Sequence, residues 1–194
     1  MIKDKIRLET NEAYLKILYW FYSFPNKKIG LNELVKELKI SKSTASRTVD
    51  NLIQKGIITR EIIGKSWILE LNRDNPKIKL GKISYNLALI YDSGIIDEIN
   101  KKYGPISIIL FGSYRKGDDT EKSDIDLAVE ISGDKSLKIE KFTELKHFGY
   151  RKNVSVNLHI FSRRNINDNL FSNIANGIIL DGFLEVASGG TSKK

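Results

Sequence analysis

Residues 109–129, ILFGSYRKGDDTEKSDIDLAV, decide the fold predicted for the second half of this chain. An apolar run predicts a buried strand, a Gly-Ser pair predicts a turn that opens a short helix, and a second apolar run predicts another strand. Asp124 and Asp126 lie at the head of the second strand, with one residue between them. Because side chains alternate across a strand, both carboxylates are expected on the same face.

This carboxylate pair indicates a cation site. Two like charges held so close repel each other unless a cation lies between them. Mg2+ binds through one or two carboxylates plus substrate phosphates, so the pair beside a Gly-Ser turn favours metal-assisted phosphoryl chemistry. Gly112 lets the backbone approach a phosphate, and Ser113 offers its hydroxyl and N–H groups. The alternative is an ordinary surface turn before a strand with two exposed aspartates.

The whole pattern carries a family resemblance. A Gly-Ser pair, ten intervening residues and Asp-x-Asp resemble the signature of the DNA polymerase beta-type nucleotidyltransferase superfamily, particularly its minimal, MNT-like branch. The resemblance covers residues 101–186. It implies a mixed sheet flanked by helices, Mg2+, and transfer of a nucleoside monophosphate from a nucleoside triphosphate, with ATP expected. Gly112, Ser113, Arg115 and Ser123 match the family motif and are the expected nucleotide-binding residues. Arg115 and Lys116 are either phosphate ligands, which their place directly after the Gly-Ser pair favours, or solvated charges on a loop.

The same resemblance exposes a departure. In the superfamily, a third acidic residue on the following strand completes the metal site, but here the matching position holds Asn157. The implied catalytic residues are Asp124 and Asp126, and the implied metal ligands are these two and Asn157. An amide oxygen can coordinate a cation, but it brings no charge and cannot act as a general base. Catalysis should therefore suffer more than binding, and His159 is either a substitute base or a half-buried structural residue.

The first 75 residues predict a different domain. Apolar spacing indicates a helix over residues 10–22 with Thr10 as its N-cap, a helix over 31–38, and a helix from a Ser41 cap to residue 55. Runs 57–63 and 66–71, joined by Gly64-Lys65, predict a hairpin. This order resembles winged helix-turn-helix domains of bacterial and archaeal transcription regulators.

In such domains the second helix of the pair enters the DNA major groove. Double-stranded DNA is therefore the expected partner, and the outward-facing candidates for DNA contact are Lys42, Ser43, Thr44, Ser46, Arg47 and Lys65. Winged helices also serve as protein-docking and dimerisation modules, and that alternative stays open. Winged-helix regulators are commonly dimers, so a homodimer is a further expectation.

The predicted fold class is α/β (α+β), with a winged helix-turn-helix domain at residues 1–75 and a nucleotidyltransferase-like domain at 105–187. Residues 76–104 are expected to form a linker and a connecting helix, because 72–82 have a linker-like composition and 84–102 have helical spacing. Within the second domain, 137–150 predict a helix, 154–161 a strand and 163–176 a helix. Residues 188–194 predict a disordered tail.

Composition narrows the chemistry further. The 194-residue chain has no cysteine and two histidines, which excludes disulfides, thiolate catalysis and Cys-based zinc sites. Its net charge of +8 makes a polyanionic partner plausible. The charged N-terminus predicts neither a signal peptide nor a membrane anchor, so the cytoplasm is the expected compartment.

Two hypotheses follow. In the first, the chain is a Mg2+-dependent nucleotidyltransferase with a DNA-binding winged helix, and its acceptor is a protein or another hydroxyl. Resemblance to MNT antitoxins makes a tyrosine hydroxyl on a HEPN-like toxin a candidate acceptor. In the second, the chain is a DNA-binding transcriptional regulator whose nucleotidyltransferase-like domain binds nucleotide but is catalytically weak or inactive.

Overall fold

The computed structural model describes residues 11–184. The predicted N-cap Thr10, the predicted tail at 188–194 and the last residues of the predicted second domain lie outside this range. The first unit is a winged helix-turn-helix, as the sequence predicts. Its elements are α1 (Glu12–Ser23), β1 (Ile29–Gly30), α2 (Leu31–Leu38), α3 (Lys42–Gln54), β2 (Ile58–Ile63) and β3 (Ser66–Leu71). The three strands form an antiparallel sheet in the order β1-β3-β2.

Helix α3 begins and ends where its sequence predicts. The Ser41 hydroxyl accepts a hydrogen bond from the Thr44 N–H at 3.1 Å, which satisfies one of the free donors at the start of the helix. Gly56 follows the helix with φ of 66°, the left-handed conformation that ends many helices. Val49 and Leu52 are fully buried against the other helices, and each contributes about 1.5–3 kcal/mol through burial.

Two helices connect the winged helix to the second sheet: α4 (Pro76–Asp92) and α5 (Ile95–Tyr103). Residues 76–82, whose composition indicates a linker, are the first turns of α4. Asn75 caps this helix and Pro76 occupies its first turn, where proline is well tolerated. The longest described helix is α4, with 17 residues, and no helix within residues 11–184 is long and apolar enough to cross a membrane.

The second sheet contains β4 (Ser107–Phe111), β5 (Ile125–Glu130), β6 (Lys138–Phe148), β7 (Arg151–Phe161) and β8 (Ile178–Gly182). It is mixed, as predicted, and has the order β6-β7-β5-β4-β8. Strands β5 and β7 are parallel, and all other pairs are antiparallel. Ile90, Ile95 and Ile99 of α4 and α5 cover one face, and Ile174 covers the other. The other two helices of this unit are α6 (Gly112–Lys116) and α7 (Asp168–Ala175).

The helix predicted over residues 137–150 is wrong, because this segment is the edge strand β6. Phe142, Leu145 and Phe148 are spaced by three, which imitates a helical stripe. The register of β6 on β7 shifts between Lys141 and Thr143, so Phe142 is an extra residue in a β-bulge. A bulge changes the phase of the strand alternation, and pairing with the long strand β7 overrides the local pattern. The helix predicted over 163–176 is also shorter, since a 3-10 turn at Arg163–Asn165 precedes α7.

Candidate active site

The Gly-Ser turn lies directly against the carboxylate pair. Strand β4 ends at Phe111, which pairs with Asp126 of β5, and Gly112 then opens α6. Gly112 has φ of 73°, and a Cβ placed on it would lie 3.1 Å from Asp126 Oδ2. A side chain here would therefore crowd the carboxylate as well as strain the backbone.

The carboxylates share one face of the sheet, as the sequence predicts. Ile125 and Leu127 are buried, whereas Asp126 is half-buried and Asp124 is exposed just before the strand. The parallel register of β5 and β7 sets Asn157 beside Asp126. Asn157 Nδ2 donates to Asp126 Oδ1 at 3.4 Å and to Asp124 Oδ2 at 3.5 Å. The three predicted metal ligands therefore converge.

This donor set fits a hard divalent cation. Two carboxylates and one amide supply oxygen ligands of the kind that Mg2+ prefers, once the amide turns its oxygen inward. The amide bridges the carboxylates where a shared cation would neutralise them. No group of three acidic or histidine side chains arranged for a metal occurs within residues 11–184, so Asn157 leaves the set one charge short.

His159 of β7 lies next to Asp126 on the same face of the sheet. Its Nε2 is 3.6 Å from Asp126 Oδ1, and its ring meets the Phe111 ring edge-on with 4.8 Å between centroids. The side chain is 15% exposed, and its buried Nδ1 has no hydrogen-bond partner within residues 11–184. His159 thus touches one carboxylate while it packs in the core, so both roles expected from the sequence remain open.

Arg115 and Lys116 border a cavity of about 270 Å3 that begins at Gly112. Asn173 of α7 and Asn176, which caps the end of that helix, also line the cavity. Neither cation has a carboxylate partner among the residues that the structure describes. Within residues 11–184, Asp124 and Asp126 likewise have no Lys or Arg partner. Arg and Lys side chains of this kind favour phosphate binding, and carboxylates of this kind favour a hard divalent cation.

The Ser123 hydroxyl has a local role in the structure. It accepts a hydrogen bond from the Thr120 N–H at 2.9 Å, and the Ser123 N–H bonds to the Thr120 carbonyl at 3.1 Å. These bonds close the loop just before Asp124. The structure therefore shows Ser123 shaping the loop, and nucleotide contact by this hydroxyl stays a prediction.

The loop that leads to Asp124 is anchored in the core despite its many charges, because Asp119 is 4% exposed. Lys82 of α4, which is 2% exposed, lies 3.1 Å from Asp119 Oδ2. Burial lowers the pKa of the Lys82 ammonium, and the Asp119 carboxylate opposes that shift. Removing one partner of such a buried pair costs about 3–5 kcal/mol. Sequence reasoning missed this pair, although Ile78, Lys82 and Tyr85 have the spacing of one buried helix face.

Tyr114 and Arg151 support the loop from its other side. Arg151 donates to the Tyr114 hydroxyl and, through Nη2, to the Ser123 carbonyl at 2.7 Å. Tyr114 is 1% exposed, and its burial raises the pKa of the phenol while Arg151 lowers it. Tyr114 is therefore a protonated core residue.

Comparison with known proteins agrees with this architecture. Residues 93–173 match the model of the nucleotidyltransferase domain, and residues 11–63 match the model of the MarR family. A protein of Methanocaldococcus jannaschii, named as a putative protein adenylyltransferase, is 31% identical over 70 residues, which are 36% of this chain and 69% of that protein. This chain belongs to the nucleotidyltransferase family.

The MarR-type domain of this nucleotidyltransferase brings three of the six predicted DNA-contact residues into one groove. Lys42, Ser46 and Lys65 line a groove of about 520 Å3 between the starts of α2 and α3 and the β2–β3 hairpin. Arg47 is exposed on α3 and has no ion-pair partner within residues 11–184. Glu33 also lines the groove, which reduces its positive charge.

The other two predicted contacts are engaged in capping α3. The Ser41 hydroxyl lies 3.0 Å from the Ser43 hydroxyl and donates to Thr44 Oγ1 at 2.8 Å. Asp50, an acidic residue of α3, binds Arg60 of the wing at 2.7 Å. Its charge is therefore partly neutralised, and the pair fixes the wing against α3.

Proposed function

We propose that this chain binds a nucleoside triphosphate with Mg2+ at the Gly-Ser turn and transfers its nucleoside monophosphate to a hydroxyl of a protein. One observation carries the proposal: the Asp124, Asp126 and Asn157 side chains converge within 3.5 Å beside Gly112. The Asn157 amide bridges the two carboxylates, and a cation bound at this position would neutralise their charge. The phosphate-binding role of the adjoining cavity is supported by Arg115 and Lys116, which have no carboxylate partner within residues 11–184.

Each residue has a definite part in this proposal. Asp124, Asp126 and Asn157 would hold Mg2+, which when bound neutralises phosphate charge and polarises the phosphoryl group. The Gly112 backbone, the Ser113 hydroxyl and the two cations bind the phosphates. The acceptor oxygen bonds to the α-phosphorus, the bond to the β-phosphate oxygen breaks, pyrophosphate leaves, and the acceptor proton passes to solvent. Since Asn157 cannot accept that proton, binding is expected to be more robust than turnover.

The adenylyl group and the protein acceptor are the finer parts of the proposal. The name of the Methanocaldococcus jannaschii relative supports both. A tyrosine hydroxyl on a HEPN-like toxin is the specific acceptor that the sequence resemblance favours. The winged helix would place the enzyme on double-stranded DNA, as a homodimer, where it regulates transcription.

A label-transfer experiment tests the enzyme. The purified chain is incubated with Mg2+, with ATP labelled at the α-phosphate, and with the protein encoded next to it in the genome. Protein-bound label is expected for wild type with ATP labelled at the α-phosphate and not with ATP labelled at the γ-phosphate, because the γ-label leaves with pyrophosphate. Asp124→Asn/Asp126→Asn should abolish the transfer.

The second candidate function is a DNA-binding regulator that uses the nucleotide as a ligand only, and Asn157 is the observation that favours it. The same experiment separates the two functions. Metal-dependent ATP binding without transfer to any acceptor would reject the enzyme and support the regulator. Transfer that depends on the two aspartates would reject the regulator as the complete account.

A further inference from the structure

Helix α4 precedes the residues 93–173 that match the nucleotidyltransferase domain, yet its side chains reach both halves of the candidate site. One half is the Gly-Ser turn with α6, and the other is the loop that leads to Asp124. We propose that Asn86 and Lys82 of α4 are positioning residues that fix the separation between these two halves. The inference rests on the proposed function, because the separation matters only if phosphate and metal bind together.

Asn86 links the two halves through a single amide. Its Nδ2 donates to the Tyr114 carbonyl of α6 at 3.3 Å and to Asp119 Oδ1 of the loop at 2.8 Å. The side chain is 2% exposed, so water cannot replace either bond without opening the core. The Tyr114 carbonyl and the Asp119 carboxylate are therefore both held by one buried side chain of α4.

Lys82 holds the same loop one helical turn earlier. Its ammonium lies 3.1 Å from Asp119 Oδ2 and also donates to the Asp119 carbonyl. Both carboxylate oxygens of Asp119 are thus held by α4. From Asp119 the chain continues through the closed Thr120–Ser123 turn directly into Asp124, and Arg151 fixes the Ser123 carbonyl. A displacement at Asp119 consequently reaches the carboxylate pair within a few residues.

Gly117 shows that this packing leaves little freedom. It ends α6 with φ of 69°, and a Cβ on it would collide with the Lys79 carbonyl of α4. The backbones of α4 and α6 are therefore in direct contact at the start of the loop. The close contact between the two helix backbones, together with the positive φ, explains why glycine occupies position 117.

A neighbouring residue of α4 offers a matched control. The Tyr85 hydroxyl lies 2.8 Å from the Ser23 hydroxyl of α1, and this bond is buried like those of Asn86. Tyr85 shares the buried helix face of Lys82, but its hydroxyl bonds to α1, its ring stacks on Tyr19, and it makes no hydrogen bond to the 117–123 loop within residues 11–184. Tyr85→Phe thus removes a buried hydrogen bond from the same helix without touching the loop.

The experiment compares Asn86→Ala, Asn86→Ser and Tyr85→Phe with wild type in the full chain. Thermal unfolding first identifies the temperature at which every variant is folded. ATP affinity is then measured by calorimetry with and without Mg2+, and Mn2+ affinity by the electron paramagnetic resonance signal of the free ion. Asn86→Ser serves as the milder change, because its hydroxyl retains one donor.

Loss of a group that supports metal ligands typically weakens metal binding about 10–100-fold, so Asn86→Ala should weaken Mn2+ and Mg2+-dependent ATP binding about tenfold or more. Tyr85→Phe should change both by no more than about twofold, since the hydroxyl that it removes bonds to Ser23 and not to the loop. ATP binding without metal should change little in either variant. If Asn86 has a purely structural role, Asn86→Ala should lower the melting temperature of the protein. The ratio of the ATP affinity with Mg2+ to the ATP affinity without Mg2+ should then equal that of wild type.

Two failures are distinguishable. If wild type binds ATP and Mn2+, and folded Asn86→Ala binds them as Tyr85→Phe does, the positioning role is overturned and the proposed function stands. If folded wild type binds neither ATP nor Mn2+, the proposed function fails and the positioning role fails with it.

Discussion

Restoring a third carboxylate by Asn157→Asp tests the reading of the site as an incomplete metal centre. The amide nitrogen of Asn157 lies 3.4 Å and 3.5 Å from oxygens of Asp126 and Asp124. The substitution exchanges a donor for a third negative charge at nearly the same place. Without a cation it should destabilise the fold, and with a cation it should tighten metal binding.

The size of the effect follows from Coulomb's law. Two unit charges 4 Å apart interact by about 1 kcal/mol in water and about 4 kcal/mol near a protein surface. Asp124 is exposed and Asp126 is half-buried, so the lower part of this range applies. The metal-free variant should therefore lose about 2–3 kcal/mol of folding free energy. Saturation with metal at a hundred times the dissociation constant should return about 2.7 kcal/mol.

The assay is urea unfolding of wild type and Asn157→Asp, each with chelator and with excess Mg2+, followed by Mn2+ titration. We expect the variant to be less stable than wild type in chelator, to regain stability with Mg2+, and to bind Mn2+ at least about tenfold more tightly. If a competent base was the missing part, label transfer should also rise, by about 10²–10⁴-fold for general-base catalysis. Equal stability in chelator together with unchanged Mn2+ affinity would refute the convergence of these three side chains.

Three further predictions concern other parts of the chain. Arg47→Ala should weaken binding to a duplex DNA, measured by fluorescence anisotropy across a KCl series, and reduce the slope of log affinity against log salt by about 1; salt-independent binding would favour the docking role instead. Gly117→Ala should lower the free energy of unfolding by at least about 2 kcal/mol, because it adds backbone strain and a collision, whereas Gly64→Ala, which has positive φ but open space, should lose less. Lys138 lowers the pKa of Glu140 from 4.5 to about 2, so this carboxylate stabilises the fold above pH 4.5 and loses that effect as the pH falls towards about 2; in acid titrations Glu140→Gln should show a smaller loss over this interval, and equal slopes would contradict the pairing.

Local patterns were sufficient for the elements that build the motif. The Gly-Ser turn, the Asp-x-Asp strand and the Ser41-capped helix each depend on residues close together in the chain, such as the cap bond from Thr44 to Ser41. The alternation around Asn157 likewise predicts its strand and its side. The parallel register of β5 and β7 was needed to show that Asn157 lies beside Asp126.

Sequence reasoning failed where distant residues decide the outcome. Asp119 looks solvated in its own segment, but its partner Lys82 is 37 residues earlier in the chain. The bulge at Phe142 depends on pairing with β7, so the apolar spacing alone favours the wrong element. Residues 76–82 have the composition of a linker because they include polar side chains such as Lys82. The burial of Lys82 depends on its contacts with the 117–123 loop, which the local sequence does not show.

The most direct test of the central claim is the affinity of ATP with and without Mg2+, measured by calorimetry for wild type and Asp124→Asn/Asp126→Asn. Wild type should bind ATP more tightly when Mg2+ is present, because the two carboxylates hold the cation that neutralises the phosphates. The double variant should lose this dependence and bind metal-free ATP at least as well, since it no longer repels the phosphates. ATP binding that is the same with and without Mg2+ in wild type, or a Mg2+ dependence that survives in the double variant, would contradict the assignment of a metal-nucleotide site to this turn.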